Sequence, residues 1–192
     1  NFKTIENKNT LQENIMFGKE IELKNIFYRY DKKENFVLND INLKIKKNEC
    51  LGIYGRSGSG KTTLIDLISG LLKPEKGKIY IDEQALKESN LYNWQKKISY
   101  VSQNFYIFNN KIKNNIIFFD QKNFNQEKFN KAVKISQLDE VGEGFFNQIV
   151  GETGSLLSGG QNQRIAIARS IYQDKEIIIF DEPSSMLDEE TK

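Results

Sequence analysis

Three short stretches of this chain carry residues suited to phosphate chemistry. Residues 55–62 read GRSGSGKT. A glycine-rich loop turns consecutive backbone N–H groups inward around an anion, because a Cβ at those positions would block the approach. Lys61 adds a cation that reaches the outer phosphates of a nucleotide, and the Thr62 hydroxyl is a ligand for Mg2+. Chance alone produces G-x-x-x-x-G-K-[ST] in about 1% of chains this long. Context therefore decides, and a strand-like run (LGIYG, 51–55) precedes the loop while helix-like spacing follows it.

The second stretch is IIIFDE at 177–182. In open α/β sheets ligands bind beyond the carboxyl ends of the strands, which sets Asp181 near the phosphates as a metal carboxylate. Glu182 follows, suited to accept a hydrogen bond from a water attacking the γ-phosphorus. The third stretch, LLSGGQNQRIAIAR at 156–169, places a serine and two glycines at the start of a helix. Exposed N–H groups at such a start suit a phosphate as well. One nucleotide site does not need two cradles.

The elements that must position these groups follow from periodicity. Alternating apolar residues from Ile21 to Ile45 predict antiparallel strands. LGIYG predicts another strand; Leu64, Ile65, Leu67, Ile68 and Leu71 predict a helix behind the loop. Pro74 and Gly77 mark a turn, KIYID (78–82) a strand, and Ile98–Ser102 a further strand. Residues from Asn104 to about Gly154 are helical in pattern and dotted with aromatics, with Phe129, Ala132 and Val133 on one face. A helix from Gln161 onward presents Ile165, Ala168 and Tyr172 together. The continuous run Ile177–Phe180 predicts a parallel strand buried on both faces. Strands alternating with helices imply an α/β sheet.

Composition sets the outer bounds. A chain of 192 residues predicts one compact domain with an inserted subdomain. Charged residues reach 28% but the net charge is only +2, so no bulk electrostatic case for nucleic acid exists. Cys50 stands alone, which excludes an internal disulfide and suits a reducing compartment. The absence of histidine removes the commonest general base and zinc ligand. No apolar run approaches the roughly 20 residues of a membrane span, so a soluble chain is expected. The start at Asn1 rather than Met suggests a piece of a longer protein, with the polar, Asn-rich residues 1–18 as a linker.

In order, the chain shows IFYRY (26–30), GRSGSGKT (55–62), YVSQ (100–103), VGETG (150–154), LSGGQ (157–161), IIIFDE (177–182) and SSMLD (184–188). With these seven landmarks it resembles the nucleotide-binding domain of ABC transporters, from about Ile21 to the end. The resemblance implies an α/β fold: a P-loop NTPase, RecA-like core with an N-terminal antiparallel β subdomain (about 19–50) and an inserted α-helical subdomain (about 104–157). Residues 1–18 would then be the tether from a preceding membrane domain, and 19–192 the nucleotide-binding domain, its C-terminal part missing.

The same resemblance implies the ligands, ATP and Mg2+, and the use of the second cradle. Two such domains dock head to tail, each ATP lying between the P-loop of one and the LSGGQ of the other. Gly55, Ser57, Gly58, Ser59, Gly60, Lys61, Thr62 and Thr63 then hold the phosphates. Ser158, Gly159, Gly160 and Gln161 reach the partner's nucleotide, and Asp188 communicates across the interface. Thr62, Gln103 and Asp181 hold the metal; Glu182, Gln103 and Lys61 serve catalysis. Tyr30 matches the aromatic that stacks on adenine, with Tyr28 as fallback and core packing as the alternative for either.

Glu152 in VGETG resembles the exporter-type contact to transmembrane helices. The implied partners are the transmembrane domain of the same transporter and a second nucleotide-binding domain, most simply a homodimer, at the cytoplasmic face of the inner membrane. Phe105, Tyr106 and Phe108 mark the transmembrane docking surface if exposed, and the core of the insertion if not. GLLKPEKGKIYIDEQ with YVSQNFYIFN is similar to flippases of lipid-linked oligosaccharides, so lipid or glycolipid export is expected, with drug or peptide export as the alternative.

Departures bear on these expectations. Asn48 replaces a usual glycine at a turn where Asn tolerates positive φ. Pro183-Ser184-Ser185-Met186 replaces Ala-Thr-Ser-Ala. The family's histidine some thirty residues past Asp181 is absent, so the isolated chain is expected to bind MgATP but to hydrolyse it weakly. A soluble ABC ATPase of DNA repair or the ribosome would carry a long coiled coil or tandem domains, neither of which is in the sequence. A passive nucleotide-binding module is disfavoured by Glu182.

Overall fold

The structure, a computed structural model, describes residues 12–139, 142 and 144–181. The chain divides into two compact units, split between Lys97 and Ile98. In the first, β1 (Glu20–Tyr28), β2 (Leu38–Lys46), β3 (Lys76–Ile81) and β4 (Gln84–Ala85) form a sheet of order β2-β1-β3-β4. All its pairings are antiparallel, with Leu23 opposite Leu43 and Ile79. The alternation read between Ile21 and Ile45 is this sheet. Ile21, Leu23, Ile79 and Ile81 face the core, while Glu22 on the other face lies 2.8 Å from Lys24 and 2.9 Å from Lys44.

Two helices complete this unit, α1 (Lys61–Ile68) behind the glycine-rich loop and α2 (Glu88–Gln95). Ile65, Leu67 and Ile68 are buried as their spacing requires, but Leu71 lies past the helix end and is exposed. The indole of the buried Trp94 donates to the Ile68 carbonyl at 2.8 Å and so pins the C-terminus of α1 to α2. From the polar lead, Ile15 and Phe17 are also buried, the latter edge-on to Trp94. Asp82 then accepts from the backbone N–H groups of Gly18, Lys19 and Glu20, fixing where the chain enters β1.

Two expectations fail in this unit. Residues 51–55 form no strand: Tyr54 is 96% exposed, and none of the described strands pairs with them. An apolar run becomes a strand only with a ladder partner, and the antiparallel sheet here closes without it. Gly77 lies within β3 instead of a turn. The register of β1 against β3 shifts between Lys24 and Phe27, and a Cβ on Gly77 (φ +86) would collide with the carbonyl oxygens of Lys24 and Asn25. Only glycine fits opposite that bulge. Asn48, by contrast, has the positive φ (64°) expected of it.

In the second unit β5 (Ile98–Val101) runs parallel to β6 (Ile177–Phe180), Ile98 pairing with Ile177 and Val101 with Phe180. Between them in sequence come α3 (Ile112–Ile116), α4 (Gln126–Ile135), two single 3-10 turns and α5 (Gly159–Tyr172). Phe129, Ala132 and Val133 of α4 pack against Ile165, Ala168 and Tyr172 of α5 in one core, as both stripes required. The Tyr172 hydroxyl accepts from the Asn125 N–H at 3.0 Å, while the Asn125 side chain caps α4 through Lys128 N. The strand β6 is parallel, but Ile178 and Phe180 stay over a third exposed. With β5 alone beside it among the described residues, β6 is not buried on both faces.

Candidate nucleotide site

The loop 55–60 leads directly into α1. Gly60 is its N-cap in the left-handed region (φ 88°), and no side chain caps the helix. A Cβ there would fall 2.9 Å from Leu38 Cδ2, so β2 itself excludes any larger residue. A helix start without a side-chain cap presents its positive end to whatever anion arrives. Lys61 folds back over the loop, its ammonium donating to the Gly55 carbonyl at 3.1 Å and the Arg56 carbonyl at 3.3 Å. Ser57, Gly58, Ser59 and Thr62 are exposed, whereas Thr63 is buried.

Thr63 shares a 2.9 Å hydrogen bond with the Tyr30 hydroxyl. That bond sets the Tyr30 ring beside the first turn of α1, 62% exposed and edge-on to Tyr28 at 5.2 Å. Core packing is therefore excluded for Tyr30. Its ring is presented at the surface next to the loop, as a stacking platform must be.

In the second unit the parallel pair brings Asp181 and Gln103 to one edge, just past the carboxyl ends of β6 and β5. The Asp181 N–H continues the ladder to the Val101 carbonyl at 2.9 Å. Its carboxylate is buried and accepts from the Tyr100 hydroxyl at 3.3 Å. Gln103 is exposed. Glu182 and Asp188 lie outside the described residues.

Ser158 is the N-cap of α5, and the cap is closed both ways. Its hydroxyl accepts from Gln161 N at 3.1 Å, while the Gln161 side chain accepts from Ser158 N at 2.9 Å. A hydroxyl used as an acceptor still has its own proton to give. Ser158 and Gly159 are exposed and Gly160 and Gln161 half-buried. The exposed Glu152 sits in a 3-10 turn ending at Gly154, whose carbonyl accepts from the Asn162 side chain at 3.0 Å. VGETG is thus tied to the first turns of the LSGGQ helix.

These features have a common counterpart. Residues 38–185 match the family described as ABC transporter. The chain belongs to that family. It is 41% identical over 177 residues to the ATP-dependent lipid A-core flippase of Wigglesworthia glossinidia brevipalpis, covering 90% of this chain and 30% of that protein. Against the lipid A-core flippase of Escherichia coli strain K12 the identity is 35% over 177 residues, with the same coverage. Among solved structures it resembles a bacterial Atm1-family ABC exporter with ATP bound, at a TM-score of 0.84 and 27% identity, over 93% of this chain and 32% of that one. The chain thus spans about a third of the length of these relatives. The glycine-rich loop, the LSGGQ helix start and Asp181 all lie inside the matched residues 38–185.

Several aromatic rings cluster beside α3. Phe105 joins the core, Tyr106 is exposed, and Phe108 lies between. Phe108 contacts Tyr106, Phe118 and Phe119 edge-on at 5.0–5.9 Å. Phe118 and Phe119 are 51% and 44% exposed, both at positive φ. Bulky residues rarely hold that conformation. Sequence reasoning missed this pair, although an adjacent Phe-Phe beside polar residues is itself a surface signal. It also missed Arg169 and Asn115, which lie beneath these rings. The available signal was a charged residue next to Ala168 on the buried face of α5.

Proposed function

We propose that this chain is the motor domain of an ABC exporter that flips a lipid or glycolipid across the inner membrane, working from its cytoplasmic face. The carrying observation is the 41% identity over 177 residues to a lipid A-core flippase. Among the described residues no helix is long and apolar enough to cross a membrane. The substrate path is assigned to a transmembrane partner.

In the cycle, ATP binds the P-loop. Lys61 exchanges the carbonyls of Gly55 and Arg56 for phosphate oxygens, and Tyr30 stacks on the adenine. Uncapped N–H groups at α1 and an ammonium nearby fit a polyphosphate, and a hydroxyl, an amide oxygen and a carboxylate from Thr62, Gln103 and Asp181 are the hard oxygen donors Mg2+ prefers. When bound, that ion neutralises charge on the β- and γ-phosphates. Glu182 orients the water whose oxygen bonds to the γ-phosphorus as the bond to the bridging oxygen breaks, leaving ADP and phosphate.

A second copy supplies Ser158, Gly159, Gly160 and Gln161 to the same ATP, the Ser158 proton donating to the γ-phosphate, and Asp188 links the two copies. ATP closes the pair and its hydrolysis opens it, a two-state element that can drive the partner. The aromatic face around Tyr106 and Phe108, with Glu152, docks the transmembrane domain. Its exposed rings, two of them on strained backbone, support that role.

The test is reconstitution of the full-length protein in vesicles carrying labelled lipid A-type glycolipid or labelled peptide. ATP-dependent glycolipid movement that stops in Glu182→Gln, with that variant trapped as an ATP-bound pair, is the expected result. Movement of peptide alone would overturn the lipid assignment.

A further inference from the structure

Arg169 lies on α5 about three turns beyond Ser158. Its guanidinium donates from Nε to the Asn115 carbonyl at 2.8 Å, from Nη1 to the Tyr106 carbonyl at 2.8 Å, and from Nη2 to Asn115 Oδ1 at 3.0 Å. Its Cζ stands 5.6 Å from the centroid of Phe108 and 5.5 Å from that of Phe118. Burial lowers its pKa to about 10, which leaves it charged at neutral pH.

Asn115 is wholly buried and closes on Phe108 from both sides. Its Oδ1 accepts from Phe108 N at 2.9 Å, and its Nδ2 donates to Phe108 O at 2.9 Å. Two side chains thereby hold three backbone groups of residues 106–108, the segment that follows Gln103. A desolvated cation is costly to keep unless its hydrogen bonds are met, and here the planar fork meets three acceptors at once. An ammonium, a compact charge without that fork, cannot span the same set.

We propose that Arg169 and Asn115 are positioning residues that lock the Gln103 segment to the LSGGQ helix, so that Gln103 and Ser158 move as one body. The inference rests on the two-copy reading above. There Gln103 meets the ATP of its own copy while Ser158 meets the ATP of the other. A rigid link between them makes occupancy of one site set the geometry of the second, which is the physical content of coupling between sites.

The test uses the full-length protein and follows ATP hydrolysis against ATP concentration, together with nucleotide affinity and the melting temperature. Arg169→Lys keeps the charge and loses the fork. Its expected result is a Hill coefficient falling toward one and kcat falling about 10- to 100-fold, the scale of a misplaced catalytic group, with the P-loop affinity for MgATP unchanged. Loss of packing alone would lower the melting temperature without removing cooperativity. Asn115→Asp, which loses the donor to Phe108 O but keeps Oδ1, should shift the same parameters less, and it decides the matter if Arg169→Lys does not fold. In combination the two should cost no more than the worse single change, because they act as one unit. A cooperative parent whose Arg169→Lys or Asn115→Asp variant stays cooperative overturns the inference alone. A parent without cooperativity overturns the two-copy reading, and the inference with it.

Discussion

Helix α1 starts at Gly60 with no side-chain cap and a lysine folded across its loop, whereas α5 starts at Ser158 inside a closed capping box. Both are glycine-bearing helix starts suited to phosphate. The first pairs a helix start that has no side-chain cap with a lysine ammonium, which equips it to bind an anion by itself. The second has already met its Gln161 N–H and Ser158 N–H internally and brings no cation. It has a hydroxyl proton to offer and little net attraction. In the proposed pair such a loop completes a site assembled by the other copy, and the asymmetry supports that proposal.

Substitutions can break the asymmetry in graded ways. Lys61→Ala removes the ammonium folded over the first cradle and should lower kcat/KM for ATP by about 100-fold or more, measured by steady-state hydrolysis. An unchanged rate would mean that the uncapped N–H groups suffice. Gly60→Ala forces a side chain into φ 88° against Leu38, a strain of about 1–3 kcal/mol. It should weaken nucleotide binding and lower the melting temperature together.

Tyr30→Ala should cost about 1–3 kcal/mol of ATP affinity by titration calorimetry, the scale of a base stacked on an aromatic ring. Tyr30→Phe, which loses only the bond to Thr63, should retain most of it. Ser158→Ala should have the smallest effect on the fold, about 1 kcal/mol for a lost N-cap. Nucleotide binding at the P-loop should be unchanged while turnover falls, and Ser158→Thr should restore part of both. Equal loss of P-loop binding in Ser158→Ala would abolish the distinction between the two cradles.

Legibility in the sequence tracked how local each interaction is. The helix after the glycine-rich loop, the Ile165–Ala168–Tyr172 stripe and the strands around Leu23 and Leu43 depend on neighbours within a few residues or on strict alternation, and these formed as read. LGIYG did not form a strand, because an apolar run cannot specify its own ladder partner. Gly77 looked like a turn residue, yet its role is set by the carbonyls of Lys24 and Asn25 across the sheet. In the candidate site, Tyr30 was one of two tyrosines until its bond to Thr63 placed it at the surface. Arg169 showed in the sequence only as a charge beside Ala168, and its partners at Tyr106 and Asn115 reach it only through folding.

The order and chemistry of the motifs, the helix starts and the apolar stripes were written into the residues, because short-range sterics and backbone hydrogen bonding act on neighbours in the chain. Which tyrosine faces solvent, why residue 77 must be glycine, and what binds the LSGGQ helix to the segment after Gln103 came from contacts between residues far apart in sequence. Such contacts exist only once long-range packing has repaid the entropy of closing the loops between them.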